Sequence, residues 1–109
     1  MDREQCSNGA ELLKALGHPT RLMILRELLA GVKCVADIED LLSSPQPHIS
    51  RHLAVLRHAK LVDFAQDGAL RCYYLARPRL VRDMLRLLAR DDRPTKQTHA
   101  QIAARKRRK

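Results

Sequence analysis

The run Ser44-Pro45-Gln46-Pro47-His48-Ile49-Ser50-Arg51-His52-Leu53-Ala54-Val55-Leu56 constrains the fold of this chain more than any other stretch. Ile49, Leu53 and Leu56 recur at helical spacing, so one side of a helix here can be buried in a core. His48, Ser50, Arg51 and His52 point largely elsewhere, and Arg57 follows. Ser44 is a good N-cap, and Pro45 suits the first helical position, where a missing N–H costs nothing. Pro47 still falls in the first turn and does not break the helix. A helix with an apolar back and a front of hydrogen-bonding and cationic side chains suits the major groove of DNA. A solvated surface helix would carry the same pattern, so the flanking segments decide.

Before this run the spacing predicts three more helices. Residues 1–6 read as a loose lead, Ser7 as the cap of a first helix to about Leu16, and Gly17 as its end. Leu12, Leu13 and Leu16 are its apolar positions. His18 precedes Pro19 at the next helix start, as a capping or packing residue. Pro19 opens a helix to about Ala30, with Leu22, Ile24, Leu25, Leu28 and Leu29 as its buried side and Gly31 as its stop. A short helix follows from about Val35 to Leu42, with Ile38, Leu41 and Leu42 inward and Asp37 in the first turn, favourable to the helix dipole. Two short helices joined by a tight turn form a helix-turn-helix whose second member reads DNA.

After Lys60 the hydrophobic period shortens. Leu61 to Gln66 and Ala69 to Leu75 read as strands joined by Asp67-Gly68, a strong two-residue turn signal. A hairpin directly after a recognition helix is a wing, and Arg71 near its tip can reach a phosphate or the minor groove. Within it Tyr73 and Leu75 face inward, and Leu70, Cys72 and Tyr74 face away. Pro78 opens a last helix to about Ala89 or Arg90. Its apolar residues Leu80, Val81, Met84, Leu85, Leu87 and Leu88 exceed what one small core needs. The fold class is therefore mostly α with a β-hairpin wing, a winged helix-turn-helix over residues 1–92. A basic tail over 93–109 is either disordered or, from Ala100, a helical extension.

The net charge of +9 points to nucleic acid or an anionic surface as partner. Arg105 to Lys109 supply five of those charges, so the folded part is only mildly basic. No apolar run approaches the length that spans a bilayer, and the N-terminus lacks a signal-peptide core, which predicts a cytoplasmic protein without membrane contact. Cys6, Cys34 and Cys72 are odd in number and widely separated, which fits free thiols rather than a disulfide framework. No glycine-rich phosphate loop, HExxH or GxSxG motif is present, so an enzyme is not expected.

The order helix, helix, helix-turn-helix, hairpin, helix, together with certain residue runs, resembles the ArsR/SmtB family of metal-sensing repressors. The matching runs are Leu12 to Leu22, Cys34-Val35-Ala36-Asp37-Ile38, Gln46 to Arg57 and Gly68 to Leu75. Most specific is Gln46-Pro47-His48-Ile49-Ser50-Arg51-His52-Leu53, close to the arsenic-responsive branch. The resemblance implies a homodimer joined through the first and last helices, with Leu12, Leu13, Leu16, Leu80, Met84, Leu87 and Leu88 as interface candidates. It implies a palindromic operator matched to the dimer, and repression relieved when a metal or metalloid binds.

For the operator, Gln46, His48, Ser50 and Arg51 are base-edge or phosphate candidates, since Gln pairs with adenine and Arg with guanine bidentately. His52 is either a DNA contact or a structural hydrogen bonder beside a phosphate. Arg57 and Arg71 are phosphate candidates, and Lys60 is solvated. For the inducer, arsenic-responsive relatives carry Cys-Val-Cys-Asp and a further Cys, a three-sulfur site for As(III) or Sb(III). Here only Cys34 remains, with Ala36 and Glu39 in the other places. Cys34 is therefore a metalloid ligand, a redox thiol or an inert part-buried thiol. Cys6 can join it from a partner subunit, and Cys72 is expected to be too distant. The family's other site, zinc on the last helix, has Asp83 but no His, and no zinc site is expected. Rival readings are a winged-helix regulator that answers to thiol oxidation or to no metal, and a protein–protein module with non-specific nucleic-acid binding.

Overall fold

The computed structural model describes residues 1–43 and 46–106, with only the backbone of Gln46 and Pro47. The expected cap Ser44 and first-turn Pro45 lie outside the described residues, as do Arg107, Arg108 and Lys109. The elements are α1 (Arg3–Leu16), α2 (Pro19–Leu29), β1 (Lys33–Cys34), α3 (Val35–Leu42), α4 (Gln46–His58), β2 (Val62–Asp67), β3 (Leu70–Leu75), α5 (Pro78–Leu88) and α6 (His99–Lys106). Together they form a winged helix-turn-helix, with a three-stranded antiparallel sheet in the order β1-β3-β2.

The core follows from the apolar spacing. Ile24 and Leu25 of α2, Ile38 of α3, Ile49, Leu53 and Leu56 of α4, and Val81 of α5 are fully buried against Leu61 and Val62. Two expected inward residues are exposed. Leu41 is 52% exposed and Leu29 is 39% exposed. In so short a helix as α3, Ile38 and its i+4 neighbour Leu42 make the inward stripe, and Leu41 falls outside it.

The start of α1 differs from the sequence reading. The helix begins at Arg3, not after Ser7, because Asp2 caps it. The Asp2 carboxylate accepts from the Gln5 backbone N–H at 2.8 Å, and the Gln5 side chain accepts from the Asp2 N–H at 2.9 Å. This reciprocal box satisfies two otherwise orphaned donors, so the lead is ordered.

The wing departs by one residue. Asp67 pairs with Leu70, so the two-residue loop is Gly68-Ala69 rather than Asp67-Gly68. Gly68 has φ +60°, the left-handed value that a type II′ turn asks of its first central residue. β1 was not anticipated: Lys33 and Cys34 pair with Tyr73 and Cys72, adding a third strand. The exit from α4 also carries an unexpected device. The Leu61 N–H bonds the Leu56 carbonyl at 3.0 Å, and the Lys60 N–H bonds the Arg57 carbonyl at 2.9 Å. With Lys60 at φ 62°, this is a Schellman ending in which lysine takes the place glycine usually holds. Buried Leu56 and Leu61 supply its customary hydrophobic contact.

Beyond α5 the described part of the tail includes α6, over His99–Lys106. Thr98 and Gln101 cap α6 through side-chain to backbone bonds, and every described residue of α6 is exposed. Among the described residues no helix is long and apolar enough to cross a membrane.

Candidate nucleic-acid interface

α4 is held from behind and open in front. Ile49, Leu53 and Leu56 have no exposed surface, whereas His48, Ser50 and Arg51 are exposed on its N-terminal half. A groove separates α4 from the wing, lined by Ser50, Ala54 and Arg57 on one side and Phe64, Gln66 and Arg71 on the other. His48, Ser50, Arg51, Arg57 and Arg71 are thus exposed along α4 and across the groove on the wing. The Gln46 side chain lies outside the described residues.

Arg57 and Arg71 share an unexpected partner. Both guanidinium carbons lie 4.5 Å from the centroid of the Phe64 ring. The ring's negative face attracts cations, and the ring lies tilted against that of Tyr73, 5.4 Å between centroids. Arg57 also pairs with Asp63 at 3.0 Å. Asp63 accepts from the Phe64 N–H at 2.8 Å. That bond first, and the Arg57 bond second, hold the Asp63 carboxyl below the usual carboxylate range. Arg57 therefore fastens the end of α4 to the start of the wing, and its phosphate role competes with an internal pair.

His52 is half-buried, with its ring 4.4 Å from that of His18. His18 caps α2 as expected: its Nδ1 accepts from the Thr20 N–H at 3.0 Å. Burial first, then the charges of His18, Arg21, His48 and Arg51, push the His52 pKa down. A neutral imidazole packed on α2 fits the structural half of the His52 alternative. It gives α4 a second attachment point at its exposed end.

Cys72 is not distant from Cys34. The two are direct partners in the β1–β3 ladder, and their Sγ atoms are 3.1 Å apart. Cys72 lies on the strand positions expected, with Leu70 and Tyr74, but β1 pairs along the edge of β3 and sets Cys34 directly beside it. The sequence offered no sign of β1 and hence none of this pair. Hydrogen bonding to Cys72, then desolvation and the negative charges of Cys72, Asp37 and Asp67, push the Cys34 thiol up to about 11. Cys6 is exposed on α1. Among the described residues no three His, Cys, Asp or Glu side chains converge as a metal site.

The dimer candidates divide. Leu16 is only 5% exposed and belongs to the core, because the last turn of α1 faces inward. Leu12, Leu80 and Met84 are half-buried against that core. Leu13 at 61% and Leu87 and Leu88 at 58% remain open to solvent.

Residues 18–63 match the model of the family described as bacterial regulatory protein, arsR family. An uncharacterized HTH-type transcriptional regulator of Methanocaldococcus jannaschii is 42% identical over 78% of this chain and 96% of its own. The HTH-type transcriptional repressor SmtB of Mycobacterium tuberculosis is 38% identical over 68% of this chain, which spans 55% of that protein. Among solved structures, the transcriptional repressor PagR of Bacillus anthracis superposes with a TM-score of 0.70 at 32% identity. That match covers 80% of this chain and 99% of PagR.

Proposed function

Since this chain belongs to the ArsR/SmtB family of DNA-binding transcriptional repressors, we propose that it acts as a homodimer on a palindromic operator. The observation that carries the reading is the two-sidedness of α4. Ile49, Leu53 and Leu56 anchor it fully, and His48, Ser50 and Arg51 stand exposed opposite. In this reading His48, Ser50, Arg51 and Gln46 approach base edges, and Arg71 grips the backbone from the wing. The apolar residues left open on α1 and α5, Leu13, Leu87 and Leu88, support pairing of two copies through those helices. A two-fold dimer presents two reading helices to two half-sites one helical turn apart.

For the release of DNA, two sulfurs rather than three come together, at Cys34 and Cys72. This favours thiol chemistry over a metalloid held by three sulfurs.

The test compares DNA from the protein's own promoter with random duplex at physiological salt. A sequence-specific repressor prefers its site by about a thousandfold or more. Arg51→Ala should then cost about 1–3 kcal/mol on the operator alone, and Arg71→Ala should weaken all sequences alike and lower the salt slope by about 1. Equal affinity for both DNAs, carried by the 105–109 tail, would show a protein–protein module with non-specific nucleic-acid binding instead.

A further inference from the structure

We propose that Cys34 and Cys72 form a reversible dithiol–disulfide pair, oxidised by a peroxide, that staples the wing to the start of the helix-turn-helix. Its effect on DNA rests on the repressor reading above; its chemistry does not.

The backbone already meets the geometric demand. Directly opposed residues of an antiparallel ladder have Cα atoms about 4.5–5.5 Å apart. That range lies inside the window of about 4.4–6.8 Å that a disulfide accepts. The two Sγ atoms, at 3.1 Å, need to close by only about 1 Å to reach bonding distance. Both residues are half-buried rather than sealed, so a small oxidant reaches them. Cys6 shares neither the pairing nor the shelter, being exposed on a helix.

The position gives the bond a lever. Cys34 stands at the N-cap of α3, where the Asp37 side chain accepts its backbone N–H at 3.1 Å. Cys72 stands in β3 beside Arg71. Cys34 also lines the groove between α4 and the wing, with Ser50 and Arg57. Contraction between β1 and β3 therefore moves the wing against the helix-turn-helix, across the groove where DNA would lie.

The electron count is that of a two-electron oxidation. Cys72 gives up its thiol proton and its sulfur attacks the peroxide ROOH; the O–O bond breaks, the sulfur becomes a sulfenic acid, and the released alkoxide takes the proton and leaves as the alcohol ROH. Cys34, whose thiol is pushed up to about 11, keeps its proton across the neutral range and acts second. Its sulfur displaces the sulfenic hydroxyl, which leaves as water with the thiol proton. A dithiol reductant reverses the step by exchange.

The experiment uses the full chain carrying Cys6→Ser, reduced and then exposed to stoichiometric hydrogen peroxide. Non-reducing peptide mass spectrometry should find Cys34 and Cys72 in one cross-linked peptide, 2 Da lighter than the dithiol. Because the bond joins positions 38 apart in sequence, Tm should rise by roughly 5 °C or more. Operator affinity should fall at least threefold, and dithiothreitol should restore both. With Cys72→Ser added, peroxide should move operator affinity less than twofold. Sulfenic or sulfinic acid on one cysteine without the cross-link would overturn the proposal, as would a bond between two chains. A cross-link that moves neither Tm nor affinity overturns the staple. Failure of the reduced protein to prefer its operator counts against the repressor reading alone, and the cross-link then decides the pair.

Discussion

Replacing Phe64 with leucine keeps most of the apolar volume at the base of the wing and removes the ring. Phe64 meets two guanidinium groups at 4.5 Å and the Tyr73 ring at 5.4 Å. An aromatic pair contributes about 0.5–1.5 kcal/mol beyond burial, and an exposed cation on a ring about 0.5–1 kcal/mol. Arg57 and Arg71 are both exposed, so the lower ends apply and Phe64→Leu should cost about 1.5 kcal/mol. At this chain length that is a fall in Tm of roughly 5–10 °C. Urea denaturation at fixed protein concentration measures it, with the m-value checked for constancy. Arg71→Met in wild type and in Phe64→Leu closes a cycle that isolates one cation–ring term. A Phe64→Leu cost below about 0.5 kcal/mol, or a coupling indistinguishable from zero, would refute the stack as the wing's fastening.

His52 sets a pH dependence. Its folded pKa lies below the unfolded value, so the unfolded chain binds the proton more readily and stability rises with pH in that range. Tm should be flat above about pH 7 and fall as pH drops through the unfolded value near 6.5; His52→Gln should flatten the fall, and an unchanged slope would remove His52 as its cause. Leu53→Ala empties a fully buried site behind the reading helix and should cost about 2–5 kcal/mol, read by denaturation, whereas a loss under about 1 kcal/mol would mean that α4 is not anchored there. Leu87→Asp with Leu88→Asp should leave the circular dichroism of the fold unchanged and yield monomers by sedimentation, and a persisting dimer would place the interface elsewhere.

The parts of the molecule that the sequence makes plain are those where one period repeats. Ile49, Leu53 and Leu56 mark α4, and the alternation around Tyr73 and Leu75 marks the wing. What escapes is built from residues that carry no period. Lys33 and Cys34 make a two-residue strand, too short to show alternation, and only its pairing with β3 brings Cys34 to Cys72. Arg57, Arg71 and Phe64 meet because a tight turn and a hairpin fold them together. Lys60 occupies a left-handed position without the glycine that would announce it. The early start of α1 rests on Asp2 and Gln5, a capping pair that the stronger-looking cap signal of Ser7 masks.

The Schellman ending at Lys60 joins α4 to β2 through three residues, all three pinned by backbone bonds. With Cys34 and Cys72 reduced, α4 and the wing therefore hold one opening between them. For a duplex laid across both, the distance between the major groove and the flanking backbone is set by the protein. DNA must narrow, widen or bend to meet it. Stiff and pliant base steps differ in what that deformation costs. Such an opening sorts sequences by their mechanics as well as by their edges, even at base pairs that no side chain reaches.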